Sequence, residues 1–146
     1  MQQNNELNRG RSVVFSIHAH LVFVTKYRRA CFDAEHLEFL RFTFSTVCRK
    51  QGATLIECNG EADHVHLLIS YPPKLSISAL VNSLKGVSSR MLSKEYGRLH
   101  KWYWKGVLWS PSYFVSSCGG APLAVIKKYI ECQQTPDPRL KAEAWS

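Results

Sequence analysis

A chain of 146 residues has room for one domain with a buried core, and none for a second large one. Apolar residues at 45% and charged residues at 21% sit close to globular averages, which excludes a fibrous or wholly disordered chain, and no stretch approaches the roughly 18 apolar residues of a membrane span. The formal charge of +8, from 19 Lys and Arg against 11 Asp and Glu, favours a polyanionic partner, nucleic acid first among them.

The five cysteines, Cys31, Cys48, Cys58, Cys118 and Cys132, are an odd number with no CxxC pair. They read as scattered reduced thiols, neither a disulfide framework nor a thiolate zinc site. The first residues, Met1 to Glu6, are polar and lack the apolar run of a secretory signal. The expected location is the cytoplasm, away from any membrane.

In chain order, residues 1–11 read as a disordered leader. Val13 to Thr25 reads as a long strand, with Ile17, Ala19, Leu21 and Phe23 at apolar odd positions and His18 and His20 on the other face. Asp33 caps a predicted helix running to about Gln51, with Leu37, Leu40, Phe44 and Val47 at helical spacing and Gly52 just past its end. Thr54 to Cys58 reads as a second strand, Asn59-Gly60 as a turn, and His64 to Ser70 as a third strand. Ser76 or Ser78 caps a second helix over about 77–95, with Leu80, Leu84, Val87 and Met91 on one side. Val107 to Val115 reads as an irregular fourth strand interrupted by Pro111. Ser116-Ser117-Cys118-Gly119-Gly120 reads as a flexible linker, and Pro122 opens a third helix reaching about Gln134. Residues 136–146 read as a loose tail, which leaves one domain over 12–135. The order β-α-β-β-α-β plus one helix predicts an α+β, ferredoxin-like (split β-α-β) antiparallel sheet. Two helices would cover one face and leave the other open for a nucleic acid strand.

His64-Val65-His66 is the most informative triplet. Side chains two apart on a strand share a face, so the two imidazoles lie together while Val65, Leu67 and Ile69 turn to the opposite side. Paired imidazoles bind divalent metals, although a surface or hydrogen-bonded histidine pair has the same pattern. His18-Ala19-His20 is a second such pair, and periodicity does not choose between them; a four-histidine site on neighbouring strands is a further option. On the last helix Tyr129 and Gln133 are four apart, hence on one face. A tyrosine hydroxyl can attack a phosphodiester, but with an ordinary pKa near 10 it needs a base, a cation or an activated phosphate. Read on the helix alone, a half-buried packing role is the stronger reading of Tyr129. Cations interleave with aromatics at Lys26-Tyr27-Arg28-Arg29 and at His100-Lys101-Trp102-Tyr103-Trp104-Lys105, and Lys85, Arg90 and Lys94 extend the charge along the second helix. Cations neutralise phosphates and aromatic faces stack on unpaired bases, a combination suited to single strands. A solvated charged loop with core tryptophans is the plainer reading.

Five stretches, in this order, resemble the single-tyrosine HUH transposases of the insertion-sequence 200/605 family. They are Val24-Thr25-Lys26-Tyr27-Arg28, Asp63-His64-Val65-His66-Leu67-Leu68, Ser83-Leu84-Lys85-Gly86, Leu108-Trp109-Ser110-Pro111-Ser112-Tyr113-Phe114, and Tyr129-Ile130-Glu131-Cys132-Gln133. The resemblance spans roughly residues 13–135. It selects His64 and His66 over His18 and His20 as the metal pair and implies Gln133 as third ligand. It also implies Tyr129 as nucleophile and a divalent metal, Mg2+ or Mn2+. The implied activity is cleavage and rejoining of single-stranded DNA with hairpins near element ends, through a 5′-phosphotyrosine. The implied assembly is a homodimer whose active sites are shared between chains. Contacts to DNA are expected from Lys26, Tyr27, Arg28, Arg29, Lys85, Arg90, Lys101 and Lys105. Two rival readings are a domesticated, non-catalytic binder of structured single strands and a metal phosphoesterase that uses activated water.

Overall fold

The computed structural model describes residues 8–9, 14–97, 107–117 and 123–133. The predicted first strand is divided. A short β2 (Val14–Phe15) pairs with β1 (Asn8–Arg9), inside the segment expected to be a disordered leader, and β3 (His18–Val24) enters the main sheet. Helix α1 (Ala34–Lys50) begins at Asp33, whose carboxylate accepts from the His36 amide while His36 Nδ1 accepts from the Asp33 amide. This is a reciprocal capping box with histidine in the usual Glu or Gln position. Gly52, at φ +78°, takes the left-handed conformation that ends the helix and turns the chain into β4 (Thr54–Glu61).

β4 runs through Asn59 and Gly60, which pair with His66 and Val65, so the expected turn there is a strand. The turn is Ala62-Asp63, leading into β5 (His64–Ser70). Gly60 serves close approach: a Cβ there would lie 2.7 Å from the His64 carbonyl oxygen and 2.9 Å from a Leu37 methyl. Helix α2 (Ile77–Glu95) is capped by the Ser76 hydroxyl, which accepts from the Ala79 amide. Its buried stripe is Leu80, Val81, Leu84, Ser88 and Leu92, and Met91, expected on the core side, is exposed. The irregular fourth strand reduces to a bridge between Thr25 and Trp109 followed by β6 (Phe114–Ser117). Ser116 and Ser117, expected in a linker, pair with His20 and Ala19. The last element among the described residues is α3 (Leu123–Cys132).

The sheet order is β4-β5-β3-β6 with every neighbouring pair antiparallel. This is the split β-α-β arrangement, with the first and third core strands at the centre. Alternation sends Leu21 and Phe23 of β3 and Val65, Leu67 and Ile69 of β5 to one face, where they meet Leu40, Phe44 and Val47 of α1 and Leu80, Leu84 and Leu92 of α2. Trp109 closes this core and donates its indole N–H to the Ser88 hydroxyl at 3.0 Å, which satisfies two buried polar groups. The other face is not open. Val22 and Val24 are fully buried beneath Ile130 of α3, with Phe114 and Tyr129 beside them. The third helix carries an apolar face of its own and buries it on the sheet surface that its chain leaves free. Among the described residues, no helix is long and apolar enough to cross a membrane.

Candidate active site

The alternation that sends Val65 and Leu67 to the core places His64 and His66 on the α3 face, with ring centroids 4.8 Å apart. His20, across the strand pair, brings its ring to 5.7 Å from His66; His18 shares the β3 face but belongs to neither ring contact. His64 is buried, with Nδ1 2.8 Å from Asp63 Oδ1 and Nε2 3.5 Å from Glu61 Oε2. The hydrogen bond with His64 holds the Asp63 carboxyl below its ordinary range, against burial, with help from Arg28. Asp63 is therefore the acceptor and His64 Nδ1 the donor between them, while Nε2 faces Glu61. Burial first, then the His64 and His20 rings, push His66 down to about 4, so this imidazole keeps its lone pair at neutral pH.

The hairpin turn that presents these groups is clamped from outside the sheet. The Asp63 carbonyl accepts from the Thr25 amide (2.9 Å) and hydroxyl (3.2 Å), and the Ala62 carbonyl accepts from the Cys31 and Phe32 amides (2.9 and 3.0 Å). After Thr25 the chain makes a tight turn in which Tyr27 (φ +61°) and Arg28 (φ +53°) are both left-handed, a costly conformation for two consecutive non-glycine residues. It is held by the Thr25 hydroxyl on the Arg29 carbonyl at 2.7 Å and by the Lys26 amide on the Leu108 carbonyl at 2.8 Å. The turn brings Arg28 Nε to 3.3 Å from Asp63 Oδ2, and the cations of Lys26 and Arg29 lie 5.5 and 5.7 Å from the Tyr27 ring centroid.

Between this hairpin and α3 lies a cavity of about 490 Å³. Arg28, Glu61, Asp63, His64 and His66 line it from the sheet, and Lys127, Ile130 and Glu131 from the helix. A model of the family described as "Transposase IS200 like" matches residues 13–133.

The chain belongs to the IS200-like transposases.

Curated relatives agree. The ISDra2 transposase TnpA of Deinococcus radiodurans is 34% identical over 128 residues, covering 88% of this chain and 91% of the relative. The transposase for insertion sequence element IS200 of Salmonella typhimurium is 35% identical over 118 residues, 81% of this chain and 77% of the relative. A crystal structure described as a transposase from Deinococcus radiodurans superposes with a TM-score of 0.81 at 32% identity, covering 88% of this chain and 98% of that one. A REP-associated tyrosine transposase bound to a REP hairpin shares the fold, with a TM-score of 0.51 at 12% identity, 86% of this chain and 70% of that one.

Against the expectations for an IS200-like transposase, the structure brings some residues together and keeps others apart. His64 and His66 meet in the cavity. Tyr129 and Gln133 do not line it, although the resemblance puts both at the histidines. The Tyr129 hydroxyl is 2.9 Å from Ser112 Oγ, and Gln133 Oε1 accepts from Ser110 Oγ (3.1 Å) and Ser112 Oγ (3.2 Å). The reason is the helical phase: Lys127, Ile130 and Glu131 form the face turned to the cavity, so positions 129 and 133 fall on the neighbouring one. Burial raises the Tyr129 hydroxyl pKa further above its ordinary value, opposed by the Ser112 contact.

The Lys85 ammonium donates to the Ser110 carbonyl at 2.7 Å and the Ser112 carbonyl at 2.8 Å. The signal for this was present in the sequence, since 81, 85, 88 and 92 follow heptad spacing and the other three positions are buried. Arg28 faces the cavity and Arg90 is exposed, while Lys101 and Lys105 lie outside the described residues. Among the described residues, no three of His, Cys, Asp and Glu are arranged to hold a metal ion.

Proposed function

We propose that this IS200-like transposase cleaves and rejoins single-stranded DNA at hairpin-bearing element ends through a 5′-phosphotyrosine at Tyr129. The observation that carries the reading is the oriented histidine pair, with His64 fixed by Asp63 and Arg28, in a cavity roofed by the helix that bears the tyrosine. The fold shared with a REP-associated transposase bound to a REP hairpin supports a structured single strand as substrate. Two imidazoles with carboxylates nearby fit a divalent cation, Mn2+ better than Mg2+ by donor type. Mg2+ or Mn2+ held by His64, His66 and Gln133 would supply Lewis-acid polarisation of the scissile phosphate.

The chain's own residues do the rest. Arg28 and Lys127 line the cavity as cations for the phosphate oxygens. Tyr129 Oη attacks phosphorus, the bond from phosphorus to the 3′ oxygen breaks, and the proton lost by tyrosine ends on the released 3′-hydroxyl. Asp63 is committed to His64 and Arg28, which leaves Glu61 and Glu131 as the cavity carboxylates able to carry that proton. A second 3′-hydroxyl reverses the step and rejoins the strand, so the bond energy is conserved without a nucleotide cofactor. The basic turn Lys26-Tyr27-Arg28-Arg29 offers a stacking ring between cations for the substrate strand.

Tyr129 and Gln133 reach a histidine pair only after leaving their serines, in this chain or in a second copy. A twofold homodimer with exchanged helices gives two equivalent shared sites. The test uses single-stranded hairpin DNA labelled on the 3′ side, with covalent adduct read on a denaturing gel. His64→Ala and Tyr129→Phe should each abolish it. Mixed chains, verified to exchange by two tags, should regain it, because one site of a shared heterodimer is wholly intact. Adduct formed by Tyr129→Phe alone would overturn the nucleophile, and silence from a verified heterodimer would confine cleavage to one chain. Hairpin binding without adduct in the unmodified protein would favour the non-catalytic binder.

A further inference from the structure

Two stretches with no role in the chemistry above meet at Lys85. Lys85 of α2 sends its ammonium between β3 and the loop before β6, where it bridges the carbonyls of Ser110 and Ser112 at 2.7 and 2.8 Å. It lies 5.5 Å from the Phe23 ring centroid and 5.7 Å from that of Tyr113. Burial pushes this ammonium down to about 8, while two carbonyl acceptors and two aromatic rings favour its charged form. A cation bridging two carbonyls across Pro111 sets the curvature of the loop, and the Ser110 amide ties the same loop to Val24 at 2.8 Å.

The hydroxyls of that loop hold α3. Gln133 Oε1 accepts only, so Ser110 and Ser112 both donate to it. The Ser112 and Tyr129 hydroxyls lie 2.9 Å apart, in a contact where either can donate. In this network the tyrosine is engaged and outside the histidine cavity.

We infer that Lys85 is a positioning residue for Tyr129: it fixes the backbone at Ser110 and Ser112, whose hydroxyls hold the tyrosine and Gln133 at rest away from the histidines. The role of this rest position in cleavage depends on the nucleophile assignment above; the positioning itself does not. Since the hold must be released before attack, losing it speeds the first cleavage.

The test combines fluorine NMR of protein carrying 3-fluorotyrosine with single-turnover adduct formation. The Tyr129 signal, one of six, is assigned by its loss in Tyr129→Phe. Ser112→Ala, at an exposed position, should shift this signal and raise the single-turnover rate about two- to tenfold, the worth of one neutral hydrogen bond. Ser112→Thr should restore both. Lys85→Met, which keeps the stem over Phe23, should shift the same signal in the same direction. In the unmodified protein the Lys85 ammonium protons should exchange slowly in nitrogen-15 spectra, a readout that needs no variant to fold. A freely exchanging ammonium, an unmoved Tyr129 signal in folded Lys85→Met, or a slower cleavage rate in Ser112→Ala would overturn the inference. Shifted signals without any adduct would instead sink the phosphotyrosine chemistry and leave the positioning role standing.

Discussion

Gly60 shows how a single atom decides the placement of the histidines. Its missing Cβ lets β4 pass within contact of the His64 carbonyl, a Leu37 methyl and Val65 Cγ1. Gly60→Ala inserts a methyl at 2.7 Å from backbone oxygen, which cannot move without displacing His64. The expected cost is about 1–3 kcal/mol, as for other overpacked sites, measured as a lower urea midpoint with an unchanged slope. Stability equal to that of the parent would show that the hairpin yields freely and that this approach does not set the site. The Asn59-Gly60 pair reads as a turn because turns and close approaches both select glycine. The sequence shows the residue type, whereas the neighbour that needs it comes from α1. The partners of His64 were partly legible, since Asp63 adjoins it, but Arg28 reaches Asp63 only through a left-handed turn at Tyr27 and Arg28 that no local propensity announces.

At the scale of elements, α1 and α2 were legible almost to the residue, because cap and apolar spacing coincide at Asp33 and Ser76. The sheet order followed from alternation and from the order of the elements. What local pattern could not supply was the docking of α3, which depends on Ile130 meeting Val22 and Val24 across the sheet. This small cluster is separate from the main core, so the helix should open more readily than the sheet. Ile130→Ala should loosen it by about 2 kcal/mol, on the order of thirtyfold in local opening. Hydrogen exchange would then quicken over 123–133 while β3 and β5 keep their protection. An equal rise across the sheet would mean that α3 is part of the global fold and not an independently released element. The thiols offer a related readout: burial pushes Cys31 and Cys48 up to about 12 and Cys58 to about 11, whereas Cys132 on α3 is exposed.

For the whole molecule, one sheet serves two purposes. Its core face carries the apolar half of each strand and stabilises the domain. The opposite face carries His20, His64 and His66 and receives the helix that bears Tyr129. Family membership and the histidine pair were legible in the sequence because they rest on ordered local motifs. The rest position of Tyr129 was not, because it arises from α2, the 110–112 loop and α3 together. In the proposed reaction this tyrosine carries the DNA. The most direct measurement is tandem mass spectrometry of protein reacted with hairpin-bearing single-stranded DNA and trimmed with nuclease. Trypsin should release Tyr129 at the start of the peptide ending at Arg139. The expected product is a nucleotide joined through its 5′-phosphate to Tyr129. Cleaved DNA with unmodified Tyr129, or an adduct on any other residue, would contradict it.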